Sequence, residues 1–154
     1  MTGMTLIVKN TARLVAGFIA VFGIYIALSG HASPGGGFAG GVIVAASGVL
    51  VVLAFGGRAA RPIVAGPRCR LWQGIAALGF LLVALCGYLR GGFFVNFIPA
   101  GAREVGGEIL AAGSIVVSDV FILVNVAAGL VGAFLALAAF RAAGAGEGDP
   151  GEAL

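Results

Sequence analysis

The chain has 154 residues, of which 60% are hydrophobic and only 10% are charged, and its formal net charge is +3. A soluble domain carries about a quarter charged residues, so this composition excludes an ordinary soluble enzyme or binding domain. The basic residues flank apolar stretches, which assigns the positive charge to membrane flanks rather than to nucleic-acid binding. We therefore expect an all-α integral membrane protein with four transmembrane helices.

The first apolar stretch runs from about residue 11 to residue 30, long enough to cross a hydrocarbon core of roughly 30 Å. Arg13 lies close enough to its start for the guanidinium to reach the interface. Lys9, Arg13 and the small residues at 27–29 also fit a secretory signal peptide. The apolar core is at the long edge for such a signal, which favours a retained membrane helix.

A glycine-rich sequence, "GHASPGGGFAGG", follows at residues 30–41 and contains G-x-G-x-x-G at Gly35, Gly37 and Gly40. A dinucleotide-binding loop requires a preceding strand and an acidic residue about 20 positions on. Here a long apolar run precedes the motif, and the next acidic residue is Glu104. A phosphate-binding loop is also excluded, because the lysine and the serine or threonine that such a loop requires do not follow these glycines. The glycines instead predict a tight turn and close helix packing.

The second predicted span covers residues 37–57 and contains no ionisable side chain. Gly37, Gly41 and Ala45 recur every four positions, and Gly48 lies close to the same stripe. Such spacing lets another helix backbone approach closely.

The third predicted span covers residues 71–89, with Trp72 and Tyr88 near opposite ends, where amphipathic rings prefer the membrane interface. The two cysteines, Cys69 and Cys86, are too few for a disulfide framework or a metal site. Cys86 lies in an apolar run and is interpreted as a packing residue.

The fourth predicted span covers residues 113–140 and contains one charged residue, Asp119. A carboxylate at membrane depth costs about 2.5–3.5 kcal/mol on insertion scales, which makes Asp119 a functional candidate. The alternative is a structural hydrogen bond or contact with the interface. Residues spaced on one face of this helix form a small, weakly polar stripe suited to packing against protein: Ser114, Ser118, Asn125, Gly129 and Gly132.

Basic residues also predict orientation. They precede the first span, separate the second from the third, and follow the fourth, so the positive-inside rule places both termini in the cytoplasm. We expect one membrane domain over residues 1–141 and a flexible acidic cytoplasmic tail over 142–154. The residues that carry this assignment are Lys9, Arg13, Arg58, Arg61, Arg68, Arg70 and Arg141.

The glycine-rich sequence resembles the signature of the MnhB/MrpB family, the B subunits of multi-subunit Na+/H+ (Mrp-type) antiporters, approximately G-H-x-x-P-G-G-G-F-x-G-G. The matching residues are Gly30, His31, Pro34, Gly35, Gly36, Gly37, Phe38, Gly40 and Gly41. A looser match, "GEILAAGSIVVSDVFILVNVAAGL" at residues 107–130, looks like the last helix of that family and its approach. Two positions depart from the resemblance: Val116 stands where the family commonly has proline, and Asn125 where it often has lysine.

His31 is the single histidine of the chain. It is interpreted as a structural hydrogen-bonding residue at the membrane face, with a role in proton relay as the alternative. A metal site is not expected, because no second histidine or cysteine lies nearby in the sequence.

The resemblance implies an accessory, non-enzymatic subunit that exchanges Na+ for H+ together with other membrane subunits in the cell membrane. Asp119, His31 and Asn125 are the ion-path candidates, and the glycine motif is assigned to packing and assembly. Two glycine-rich helix faces and a polar stripe offer more packing surface than a bundle of four short helices can bury, which also predicts neighbouring subunits. No cofactor is expected. The alternative is a structural subunit of a membrane-bound hydrogenase or a related respiratory complex.

Overall fold

The computed structural model describes residues 5–30, 34–56, 67–98 and 112–144. Every regular element in these ranges is helical, in agreement with the predicted fold class, and the four longer helices are each long and apolar enough to cross a membrane. They are α1 (Leu6–Leu28), α2 (Gly36–Phe55), α3 (Pro67–Cys86) and α4 (Ser114–Gly144), with a short 3-10 helix at Gly87–Arg90.

Helix α1 begins earlier than the predicted residue 11, at Leu6. Residues 5–16 contain no glycine or proline that would end a helix. The helical hydrogen bonding therefore extends beyond the segment that is needed to cross the hydrocarbon core. Arg13 consequently lies within α1, and its guanidinium carbon is 5.1 Å from the ring centroid of Phe55. This cation–π contact brings the start of α1 to the end of α2.

The helices pack in the order α1, α2, α4, α3, and α1 also touches α4. Helices α1 and α2 are antiparallel and approach most closely where Gly23 faces Gly40. Helices α2 and α4 run parallel, because Gly37 faces Asp119 while Gly48 faces Val131 further along both helices. The starts of α2 and α4 therefore lie side by side at one end of the bundle.

Helix α4 has 31 residues and continues to Gly144, past the predicted start of the tail at residue 142. Its apolar part, Ser114–Phe140, has 27 residues. At 1.5 Å per residue this is about 40 Å, longer than the hydrocarbon core, which a tilted helix accommodates. Residues 145–154 of the predicted tail lie outside the described residues.

The bundle places its small side chains inside and its large ones outside. The buried apolar side chains of the described residues are all alanine or valine, including Ala16, Ala27 and Ala45. Larger side chains such as Phe18 and Leu78 are exposed on the outer faces. This arrangement is typical of membrane helices, whose interfaces depend on close backbone approach rather than on removing large apolar groups from water.

Candidate functional site

A turn at residues 34–36, here named the glycine turn, leads into α2 with backbone angles that only glycine adopts easily. The φ angles are 139° at Gly35 and 53° at Gly36. Both lie in the region that residues with side chains disfavour. The amide of Ala39 donates to the carbonyl of Gly35 at 3.2 Å and closes the first turn of α2. Pro34, also in the turn, is exposed.

His31 lies outside the described residues, so its predicted roles stay predictions.

The next glycines of the motif lie at two helix crossings. A Cβ added at Gly40 would lie 2.5 Å from the carbonyl oxygen of Gly23 and 2.9 Å from the Cβ of Ala27, both on α1. A Cβ added at Gly41 would lie 2.8 Å from the Cβ of Val126 on α4. Phe38, on an outer side of α2, is exposed. Helix α2 thus packs between α1 and α4, and both neighbours approach it at glycine positions, where it has no side chain.

This packing changes the interpretation of the small-residue stripe on α2. The sequence predicts that the stripe with Gly37 and Gly41 lets another helix approach, and the structure shows a close approach there. The neighbour is α4 of the same chain: a Cβ on Gly37 would overlap the backbone of Asp119. The surface expected to be surplus, and so available to a neighbouring subunit, is used inside the bundle.

The side chain of Asp119 lies over the glycine turn. A Cβ added at Gly30 would be 2.6 Å from its Oδ2 atom, and one added at Gly36 would be 3.2 Å from its Oδ1 atom. Asp119 is half-buried. The structure therefore brings together two features that the sequence presents separately, the intramembrane carboxylate and the glycine motif.

The carboxylate meets the ends of two helices. The first amides of α2 have no acceptor within the helix, and they carry the positive end of its dipole. Helix α2 has no acidic residue in its own first turn, so Asp119 supplies the negative charge from α4. The carbonyl oxygen of Ala27, in the last turn of α1, lies 3.3 Å from the same added Cβ on Gly30. The Asp119 carboxylate thus lies beside the start of α2 and beside the last turn of α1.

Asn125 lies on a different face of α4. The ring of Phe121 fills the space beside Gly79 of α3, and Gly129 faces the Gln73 side chain, whose Nε2 atom is 3.1 Å from an added Cβ. Asn125 is four residues from both Phe121 and Gly129, so it shares their side of the helix. The structure therefore does not bring Asn125 to Asp119, because a step of six residues turns the helix by about 120°.

The polar stripe of α4 approaches α3 at Gly129 and is buried at its two serines. Ser114 and Ser118 are buried, and the Ser118 hydroxyl donates to the carbonyl oxygen of Ser114 at 3.0 Å. Like the stripe on α2, this one packs within the chain.

Asn96 is a positioning residue that the sequence did not reveal. Its Oδ1 atom accepts from the amides of Ser114 and Ile98, both at 3.2 Å, and its Nδ2 atom donates to the carbonyl of Ala112 at 3.3 Å. It acts as an N-cap for α4 from a distant part of the chain. Asparagine is a common capping residue, but its distance in sequence from α4 leaves no local signal. Through Ser114, it fixes the start of the helix that carries Asp119.

The described residues contain no group of three or more His, Cys, Asp or Glu side chains that could hold a metal ion. Cys86 is a partly buried free thiol.

Four apolar helices packed through glycine and alanine, with a single carboxylate at a helix crossing, define the class of a multi-pass integral membrane protein. Residues 7–132 match the family described as a domain related to the MnhB subunit of Na+/H+ antiporters. The chain belongs to this family, and the match includes all but the first residue of α1, the glycine turn and Asp119.

Individual proteins are also similar to this chain. The chain is 33% identical to an uncharacterized protein of Methanocaldococcus jannaschii over 139 residues, covering 82% of this chain and 49% of that protein. It is 39% identical to the B subunit of a Na+/H+ antiporter of Bacillus subtilis over 82 residues, covering 53% of this chain and 54% of that protein.

A solved structure is also similar. A chain of the membrane-bound sulfane sulfur reductase, an archaeal respiratory membrane complex, superposes with a TM-score of 0.72 and 29% identity. The match covers 88% of this chain and 59% of that one. The present chain thus spans about half to three-fifths of the length of these three relatives.

Proposed function

We propose that the chain is an accessory membrane subunit of a multi-subunit monovalent cation/proton antiporter that exports Na+ in exchange for H+. The observation that carries the proposal is the family match over residues 7–132, supported by the similarity to the antiporter B subunit of Bacillus subtilis. In this proposal the chain contributes to assembly, and Asp119 contributes to an ion path. The other membrane subunits of the antiporter are its partners.

An accessory role follows from the distribution of charge. A complete proton path through a membrane requires several ionisable groups at depth. Asp119 is the single acidic residue in the four spans, since the other five lie at residues 104, 108, 147, 149 and 152. One carboxylate can hold a cation or a proton at one point of a route, and neighbouring subunits would supply the rest.

The surroundings of Asp119 suit that limited task. Carbonyl oxygens at a helix C-terminus are ligands that Na+ uses in transporters, and helix N-termini stabilise negative charge. An added Cβ on Gly30 would lie 2.6 Å from Oδ2 of Asp119 and 3.3 Å from the Ala27 carbonyl oxygen, and one on Gly36, at the start of α2, would lie 3.2 Å from Oδ1. A cation beside Asp119 would therefore meet two kinds of oxygen, while the α2 amides would stabilise the carboxylate once the cation left.

His31 and Asn125 take different places in the proposal. His31 directly follows Gly30, the residue next to the Asp119 carboxylate, so it remains the candidate for passing protons to that group. Asn125 faces α3, and a route through it would lie between α3 and α4.

The second candidate function is a structural role in a membrane-bound hydrogenase or a related respiratory complex. The observation that favours it is the similarity to a chain of an archaeal respiratory membrane complex over 88% of the present chain. In that case Asp119 would lock α2 to α4 and carry no ion.

Deletion of the chain from its host tests the proposal. Inverted membrane vesicles without it should lose Na+-dependent proton exchange, and a plasmid copy should restore the exchange. Affinity purification through that copy should recover antiporter subunits. Recovery of redox subunits, with exchange unchanged by the deletion, would support the respiratory role instead.

A further inference from the structure

Residues 87–98, here named the return segment, fold back along the end of α3. The apolar span that includes most of α3 ends at Arg90. The chain turns at Gly91, with φ 100°, and the amide of Phe94 donates to the carbonyl oxygen of Ala84 at 3.1 Å. Residue 94 has therefore returned to the level of the last turns of α3. The return segment lies at the depth where the membrane-spanning part of that helix ends.

One side of the return segment is held by protein. Phe94 has φ 62°, and its ring centroid lies 5.5 Å from that of Phe80 on α3. A positive φ is uncommon for a residue with a side chain, so the packing of this ring holds the backbone in place. Two residues later, Asn96 binds the start of α4. The return segment is thus attached both to the end of α3 and to the start of α4.

The other side is apolar and exposed. Leu89 is 82% exposed, Tyr88 62% and Phe93 57%, although the last two rings contact each other with centroids 6.1 Å apart. Arg90, between them in sequence, is also exposed. Tyrosine rings beside a guanidinium, at the end of a membrane span, form the pattern found where proteins meet the lipid headgroup layer.

We propose that the return segment is a lipid anchor that seats in the boundary between hydrocarbon and headgroups. Leu89 and Phe93 occupy the upper hydrocarbon, and the hydroxyl of Tyr88 and the guanidinium of Arg90 bind phospholipid phosphate. The anchor holds for either orientation of the bundle and does not depend on antiport. Because Asn96 joins this segment to α4, the anchor sets the depth at which Asp119 sits.

Spin-label accessibility measures this depth. Leu89→Cys and Phe93→Cys are labelled in a chain whose Cys69 and Cys86 are replaced by serine, purified with its native subunits and reconstituted in phosphatidylethanolamine–phosphatidylglycerol vesicles. The signal of the cysteine-free chain is subtracted. Leu81→Cys, on the exposed face of α3, is the deep reference. The helical rise between positions 81 and 89 places it roughly 13 Å further into the bilayer.

Both labels should collide often with oxygen and rarely with a water-soluble nickel chelate, at a depth shallower than the Leu81 label. Free access to the nickel chelate would place the return segment in water and overturn the proposal. Low access to both reagents would show that a protein subunit covers the segment, which also overturns it. The exposed Leu89 site keeps the test valid if a label at Phe93 disturbs the ring pair.

The phosphate contact has its own test. In an Arg90→Gln background the Leu89 label should become more accessible to the nickel chelate, because the contact that holds the segment at the headgroups is lost, whereas Arg90→Lys should change it less. Unchanged accessibility in Arg90→Gln would remove phosphate binding by Arg90 from the proposal.

Discussion

At the scale of single residues, Gly30 and Asp119 constrain each other. The carboxylate of Asp119 occupies the space where any other residue at position 30 would place its Cβ atom. The same Cβ would also lie 2.5 Å from the Cα atom of Gly36, which is backbone and cannot swing away. The glycine at position 30 is therefore required by the neighbouring helix and by the turn itself.

Gly30→Ala should consequently destabilise the bundle. Forcing a methyl group into a packed site costs about 1–3 kcal/mol, which should lower the thermal unfolding temperature of the purified protein in detergent. Gly17→Ala is the matched control, because an added Cβ there meets nothing within 4 Å. An equal unfolding temperature for Gly30→Ala and wild type would contradict the position of Asp119 over the turn.

Asn96 contributes at the residue scale by capping a helix from outside. Asn96→Ala removes the acceptor for the Ser114 amide. Loss of an N-cap costs about 0.5–2 kcal/mol. We therefore expect faster hydrogen exchange of the amides in the first turn of α4, measured by mass spectrometry. Asn96→Asp retains an acceptor oxygen and should exchange more slowly than Asn96→Ala; identical exchange in Asn96→Ala and wild type would exclude the cap.

At the scale of helices, α2 packs against both α1 and α4. Its glycines face both neighbours, so a large side chain on either face separates two helices. Gly41→Leu should therefore reduce the amount of folded chain in the membrane and, with it, co-purification of other subunits. His31→Ala should have the milder effect, since it leaves the crossings intact.

Gly74→Leu provides the control for the leucine substitution, because an added Cβ at Gly74 on α3 meets nothing within 4 Å. Immunoblots of membranes at equal expression measure the outcome. Normal abundance and assembly of Gly41→Leu would contradict the requirement for close approach of α2 and α4 at Gly41.

The helices show where sequence reasoning succeeds in this protein. The length of the apolar stretches predicts four spans, because a helix must have about 20 apolar residues to cross the hydrocarbon core. A lone carboxylate such as Asp119 can be recognised in the sequence because it interrupts an apolar stretch. The contact of Asp119 with Gly30 is not visible, because no helical period relates residues in different helices. For the same reason the stripes on α2 and α4 predict close packing but do not identify the partner, which proved to be the same chain. The cap by Asn96 depends on a chain reversal that has no local pattern.

At the scale of the whole molecule, the starts of α1 and α3 and the end of α2 lie at one end of the bundle. Basic residues flank that end, so the positive-inside rule predicts that it is cytoplasmic. Cys69, in the first turn of α3, reports on it.

A membrane-impermeant thiol reagent should therefore label Cys69 in inverted vesicles and miss it in intact cells. A Cys86→Ser background restricts labelling to the one remaining cysteine of this chain. Labelling in intact cells would reverse the orientation of the bundle and place the glycine turn in the cytoplasm.

In the proposed function, Asp119 carries charge for ion exchange and does not serve only to join α2 and α4. Na+-dependent proton exchange in inverted vesicles, compared at equal complex abundance, measures this most directly. Asp119→Asn keeps the shape of the side chain and removes its charge, so the complex should assemble normally. Its rate of Na+-dependent proton exchange should fall towards that of vesicles that lack the chain. Asp119→Glu should retain more exchange than Asp119→Asn. Exchange by Asp119→Asn equal to that of wild type would contradict the ion-path role, and loss of assembly in that variant would assign Asp119 to structure alone.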